Sequence, residues 1–375
     1  MLLAPIFISL FWAIALIGDK KKHSTPRLFL SKFMLLPLTC FIAHFLYFAP
    51  EHAIYPYFDF AYQYAGSLML PFYYIYFRLL TVDDKFSWKT HARYLVIPFV
   101  LATVYCIGAS LTPDIEYKTW LFDEHAFPKS AYIQFLNIMR DILRIQFLLL
   151  VILTFIGNQQ LIRKYGYIAE QFYSDIKDGK CNNAKMLNYS IIIICGAAFL
   201  AVAIGRRFLM PKDTIIYIVW SISSVMMYII GYMGFKQKPI NPMFDSANVQ
   251  EGLKQAGVIL IGAQKKILHK MLVQFDDEKI YLNSELNIMD IVQAVGTNRT
   301  YISSIINQQY NQNFCSFVNG YRVDELKRVL LENPDFTNEM LAECCGFGSV
   351  VSLRRAVFAK NSLSVNDWKK QTLFV

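Results

Sequence analysis

The sequence predicts an all-α protein in two parts: an N-terminal bundle of seven transmembrane helices, then a helical domain with two helix-turn-helix units joined by a linker helix. Three observations carry this. Apolar runs follow one another as far as Phe235, charge density rises after it, and beyond Lys265 the apolar residues recur at helical spacing. Of the 375 residues, 55% are hydrophobic and 17% charged, with a mean hydropathy of +0.32. The excess is local: residues 1–235 hold 35 charged side chains, whereas the 140 residues from Lys236 on hold 30. The parts therefore read as a membrane sensor or anchor over 1–235, a linker over 236–272 and the helix-turn-helix domain over 273–375.

The seven runs are Leu2–Ile17, Leu28–Phe48, Tyr57–Leu80, Tyr94–Leu111, Ile142–Ile162, Met186–Gly205 and Thr214–Phe235. A helix rises about 1.5 Å per residue and the hydrocarbon layer is about 30 Å thick, so about 20 apolar residues span it. The first run is short and needs flanking residues or local thinning to cross. Helices of a large soluble core would be the alternative, but the runs lack the polar faces a solvated exterior needs.

Lys and Arg in the connecting loops set the expected orientation. "DKKKHSTPR", Arg78–Arg93 and Arg163–Lys185 together hold 13, and the alternate loops hold 5, or 7 with Arg140 and Arg144 counted outside. That tally puts the N-terminus outside and, after seven crossings, the C-terminal domain in the cytoplasm, as expected of a multi-pass protein of the inner membrane. Leu2–Ile17 is not read as a cleaved signal peptide, because its positive charges follow the apolar run.

The seven cysteines make no CxxC pair, and Cys344–Cys345 have no second pair or nearby His to complete a zinc site. No metal and no cofactor is expected. HExxH, GxSxG and P-loop motifs are missing, so the expectation is not an enzyme.

In the tail, Pro239, Pro242 and three Gly suit a linker over 236–263, and a helical pattern starts at Lys265. Ile288, Ile291, Val292 and Val295 then fall at helical spacing, and Gly296 ends that helix where a left-handed backbone costs little. Asn298 is a good N-cap for the next helix. That helix turns Ile302, Ile305 and Ile306 to one side and Thr300, Ser303, Ser304 and Asn307 to the other. Such an outline is a helix-turn-helix, whose second helix can enter a major groove. A longer helix follows over Phe314–Glu332 and stops before Pro334. The pattern then repeats: "TNEMLAECCGF", capped by Thr337 and ending at Gly346, and "VVSLRRAVFAK", capped by Ser349 with Leu353, Ala356 and Val357 inward. A rigid connector can hold two reading helices about 34 Å apart, one DNA turn.

From about Lys279 to Lys370 the chain resembles the AraC/XylS-type DNA-binding domain, through "FVNGYRVDELKRVLLEN", "NEMLAECCGF" and "SLRRAVFAKNSLSVNDWKK". The whole layout is similar to membrane-anchored regulators of that family. The resemblance implies a sequence-specific transcription regulator that binds double-stranded DNA, often as a homodimer. By position it offers Arg299, Thr300, Ser303 and Ser304 from the first reading helix, with Asn307 on the same polar side. From the second it offers Val350, Val351, Ser352 and Arg355, with Arg354 and Lys360 adding charge. The chain departs from the family at Asn311 and Ser362, where glycine is usual, at Val365, where proline is usual, and at Phe358, commonly basic. Valine can touch a thymine methyl but cannot hydrogen-bond a base edge.

Residues 276–375 hold 10 Lys and Arg against 12 Asp and Glu, whereas Cys344–Val375 holds five basic residues and one acidic. Phosphate contacts dominate DNA affinity, so one copy should bind modestly and depend on dimerisation or tethering. In the membrane part, Arg140, Arg144, Arg206 and Arg207 could form an outward-facing site for an anionic or other small-molecule effector; the alternative is that they snorkel to water or to phosphates of the lipid bilayer. Two rival functions remain open: a seven-helix receptor whose tail binds a protein partner, and a transporter with an accessory tail.

Overall fold

The computed structural model describes residues 3–18, 25–48, 54–83, 85–122, 130–175, 178–204, 213–236 and 261–373. Every regular element among them is helical, and the one β contact is an isolated antiparallel bridge between Tyr173 and Asn287. The chain divides into two units, one of Met1–Ile162 with Asn183–Ile240 and the other of Arg163–Asn182 with Asn241–Val375.

The first unit contains α1 (Ala4–Gly18), α2 (Thr25–Phe33), α3 (Leu35–Phe48), α4 (Tyr55–Thr81), the short α5 (Trp88–His91), α6 (Val96–Leu111) and α7 (Asp114–Phe122). It also takes most of α8 (Ala131–Glu170) and of α9 (Asp178–Ile204), and all of α10 (Asp213–Lys236). Contacts join α1 to α2, α3 and α10, and α4 to α2, α3 and α6. Trp12, Leu16, Leu30, Phe33, Tyr73 and Phe77 are buried between them.

Asp59 on α4 is 1% exposed. Its carboxylate accepts from Tyr55 and Gln63 at 3.1 Å each, and from Tyr105 on α6 and Tyr117 on α7 at 2.7 Å each. Four neutral donors stand in for the water that burial removes, which is the condition for a carboxylate to be tolerated inside. On the outer surface, Ile97 and Ile107 of α6, Leu149 and Leu153 of α8, and Ile218 and Val225 of α10 are exposed. Exposed apolar surface on this scale fits a lipid environment.

The count of seven spans is corrected. Among the described residues two helical stretches are long and apolar enough to cross a membrane, Thr25–Phe48 and Tyr217–Lys236. A third exists if Trp88–Tyr94 and Val96–Leu111, bent by 55°, form one span. The other four runs are not among these stretches. The first becomes the 15-residue α1, about 22 Å long. In α4 the apolar run is diluted by tyrosines, Asp59, Gln63 and Arg78. The run in α8 contains Arg144, Gln146, Asn158, Gln159 and Gln160 within a helix of 40 residues. α9 opens on polar turns, and its side chains from Phe199 onward lie outside the described residues.

In the second unit come α11 (Ile261–Asp276), a 3₁₀ turn (Ile280–Leu282), α12 (Ile288–Val295), α13 (Arg299–Tyr310), α14 (Phe314–Glu332), α15 (Asn338–Cys344), α16 (Val350–Asn361) and α17 (Val365–Leu373). Two cores form. Phe275, Ile288, Ile291, Ile302, Ile305 and Phe314 build the first, and Leu326, Leu341, Phe347, Leu353, Val357 and Trp368 the second. α14 gives Phe317 and Val318 to one and Val323 and Leu330 to the other. Of the expected linker, residues 237–260 lie outside the described residues, while α11 buries Met271 in the first core. The segment Arg163–Asn182, expected within the membrane part, belongs to this unit.

Candidate nucleic-acid interface

The helix pair α12–α13 is built by local signals. Asn287 and Asp290 form a capping box at the start of α12, with Met289 N donating to Asn287 Oδ1 at 2.9 Å and Asn287 N to Asp290 Oδ2 at 2.8 Å. Gly296, at φ 71°, turns the chain. Asn298 then accepts from Tyr301 N at 3.0 Å and starts α13. Ile302, Ile305 and Ile306 are buried, Thr300 and Asn307 are exposed, and Ser303 and Ser304 are half-buried. Asn311 closes α13 in the left-handed region, at φ 51°.

In the second pair, α15–α16, Met340 N donates to Thr337 Oγ1 at 3.3 Å, Gly346 turns at φ 79°, and Ser352 N donates to Ser349 Oγ at 3.2 Å. Leu353, Ala356 and Val357 point into the core, while Val351, Arg354, Arg355 and Phe358 are exposed. With Ser364, Val365 and Asn366 those four line an open cavity of about 430 Å³ between α16 and α17. Val350 packs on the second core. Lys360 donates to the carbonyl of Gly320 at 3.0 Å and to Asp324 at 2.6 Å, tying α16 to α14.

Two of the expected DNA contacts are already engaged by a short strap, Gln171–Asp175, that follows α8. Ser352 is buried, and its hydroxyl donates to Asp175 Oδ1 at 2.6 Å. The Arg299 guanidinium lies 5.6 Å from the centre of the Phe172 ring. Neither Phe172 nor Asp175 carries a sequence signal for this, because the partners lie more than a hundred residues away.

Arg322, the arginine of the connecting helix, is fully buried. It donates to the carbonyls of Tyr281 and Asn283 at 2.8 Å, to the Ser174 carbonyl and Asn319 Oδ1 at 3.3 Å, and to the Ser174 hydroxyl at 2.9 Å. Burial pushes its pKa down to about 10, with the nearby Asp175 carboxylate opposing the fall. Its role here is architectural: it fastens the 3₁₀ turn and the strap to α14. Glu325, one turn on, accepts from Arg328 at 2.6 Å and from Lys279 at 3.4 Å, and these cations hold its carboxyl below the usual range against the opposing effect of burial.

The effector residues are less well assembled. Arg140 donates to Asn137 Oδ1 at 2.8 Å and stands 5.1 Å from the Trp120 ring centre, and Arg144 pairs with Asp141 at 3.3 Å. Arg206 and Arg207 lie outside the described residues. No group of three or more His, Cys, Asp or Glu that could hold a metal occurs among the described residues. Comparisons with protein-family models, with curated proteins and with solved structures found no match to this chain.

Proposed function

We propose that this chain is a membrane-tethered, sequence-specific DNA-binding regulator of transcription, whose output is the occupancy of promoter DNA rather than a reaction. The observation that supports it best is the repeat: two capped helices, α13 and α16, each follow a glycine turn and keep an apolar face inward, and α14 joins their cores. Exposed Thr300, Asn307, Arg354 and Arg355 give that pair base-reading and phosphate-binding chemistry. The likeness of Lys279–Lys370 to the AraC/XylS-type domain supports the same reading, and a homodimer is part of the proposal.

The membrane part is an anchor and, in this proposal, a sensor of a small anionic effector through Arg140 and Arg144. The make-up of the second unit supports the expected side of the bilayer. It unites Arg163–Asn182, within the most basic of the loops assigned inside, with Asn241–Val375. Parts of one folded unit share one side, which favours the cytoplasm for both. An even number of crossings must then separate them.

The test is a gel shift and genome-wide binding assay on the full chain in nanodiscs. Arg355→Ala and Ser303→Ala should each weaken specific binding by about 1–3 kcal/mol. A second reading, a protein-binding tail, is favoured by the 62% exposure of Phe358 beside Val351 on α16. It gains if the full chain retains no duplex at low salt.

A further inference from the structure

We propose that the strap Gln171–Asp175 is a self-inhibitory contact, in which the Asp175 carboxylate occupies the position a DNA phosphate would take at the start of α16. The inference rests on the DNA-binding reading above. Asp175 Oδ2 accepts from Gly348 N at 2.7 Å, and Oδ1 accepts from the Ser352 hydroxyl at 2.6 Å. Gly348 lies one residue ahead of the Ser349 N-cap, so its N–H stands outside the hydrogen-bond ladder of α16, and the positive end of the helix dipole favours an anion there. In protein–DNA complexes such N–H and hydroxyl groups commonly take phosphate oxygens. A carboxylate already bound removes the donors and adds a negative charge facing the polyanion.

The strap reaches the first reading helix as well. Phe172 is 6% exposed in the first core and lies under the Arg299 guanidinium at 5.6 Å. Between the two ends the strap is pinned by backbone bonds: Ser174 N donates to the Leu286 carbonyl at 3.0 Å and Ile288 N to the Phe172 carbonyl at 2.9 Å. One segment thus holds groups from both reading helices, and it follows directly from the end of α8 at Glu170. A signal that favours the undocked strap raises DNA occupancy by shifting a pre-existing equilibrium.

The test uses full-length protein in nanodiscs and a pool of random-sequence duplexes at low salt, because phosphate-driven binding needs no operator. Asp175→Asn keeps the shape and removes the charge. It should bind about tenfold tighter than the native chain, and its salt slope should be steeper by about one phosphate contact. Cys315 gives a second measurement on the native chain. Its thiol donates to the Ser174 carbonyl at 3.3 Å, and burial pushes it up to about 12, so docking suppresses alkylation. Duplex DNA should raise the alkylation rate of Cys315 in peptide mass spectra, resolved from exposed Cys344. Equal affinities and slopes, or a Cys315 rate that DNA leaves unmoved, overturn the strap and leave the DNA-binding reading standing. No retention of duplex by either protein overturns both.

Discussion

Arg322 donates from Nε to the carbonyl oxygen of Tyr281 at 2.8 Å, and its guanidinium is fully buried against backbone and hydroxyl oxygens. A planar fork is needed to meet carbonyls of Tyr281, Asn283 and Ser174 together. Arg322→Ala should cost about 3–5 kcal/mol, because it strands these acceptors in the interior. Arg322→Lys should recover only part of that. Denaturant melts of the full chain, followed by tryptophan fluorescence, read the difference.

Gly346 sits at φ 79°, and a Cβ there would lie 2.6 Å from Leu282 Cα, from its carbonyl oxygen and from that of Tyr281. All three are backbone atoms, so nothing flexible can yield. Gly346→Ala should destabilise the second unit by about 3 kcal/mol through strain and steric conflict together. Hydrogen exchange should show faster opening of α15 and α16, with α12 and α13 less affected.

Ser362 occupies the left-handed region at φ 57° where it closes α16. Ser362→Gly should stabilise the chain by up to about 1 kcal/mol. Asn311→Gly, at φ 51°, should gain less, since asparagine tolerates that conformation better than serine. Thermal melts of the two variants in parallel give the ranking.

Glu325 is held below its ordinary carboxyl range by Arg328 first and then by Lys279. A depressed folded-state pKa contributes stability that is fully present above the unfolded value and is lost as pH falls through the folded one. The native chain should therefore weaken on acidification below about pH 4.5, and Glu325→Gln should show a shallower decline over the same window. Melts between neutral and acidic pH compare the two.

Single-cysteine accessibility tests the topology. Probes in the loop after α8 and beyond Lys265 should react from the same side of the membrane, since both stretches belong to one folded unit. Labelling from opposite sides would dismantle that unit and the orientation built on it.

The capped helices of the C-terminal unit were legible because their signals are local. Asn298, Thr337 and Ser349 cap helices and Gly296 turns where the sequence places them, each acting within three or four residues. The span count was not legible. Runs of Phe, Tyr and Leu look alike in sequence, yet Tyr105 and Tyr117 spend their hydroxyls on Asp59 inside the first unit. The strap was invisible for the opposite reason. Ser352 and Asp175 are 177 positions apart, and no periodicity links them.

The contact of Gly346 with Leu282 bears on chimeras. A graft that transplants only α15–α17 onto a foreign scaffold would leave that glycine facing an unmatched surface. Swaps of the C-terminal half should therefore carry the stretch Lys279–Asn283 along with it, or confine themselves to outward side chains of α16.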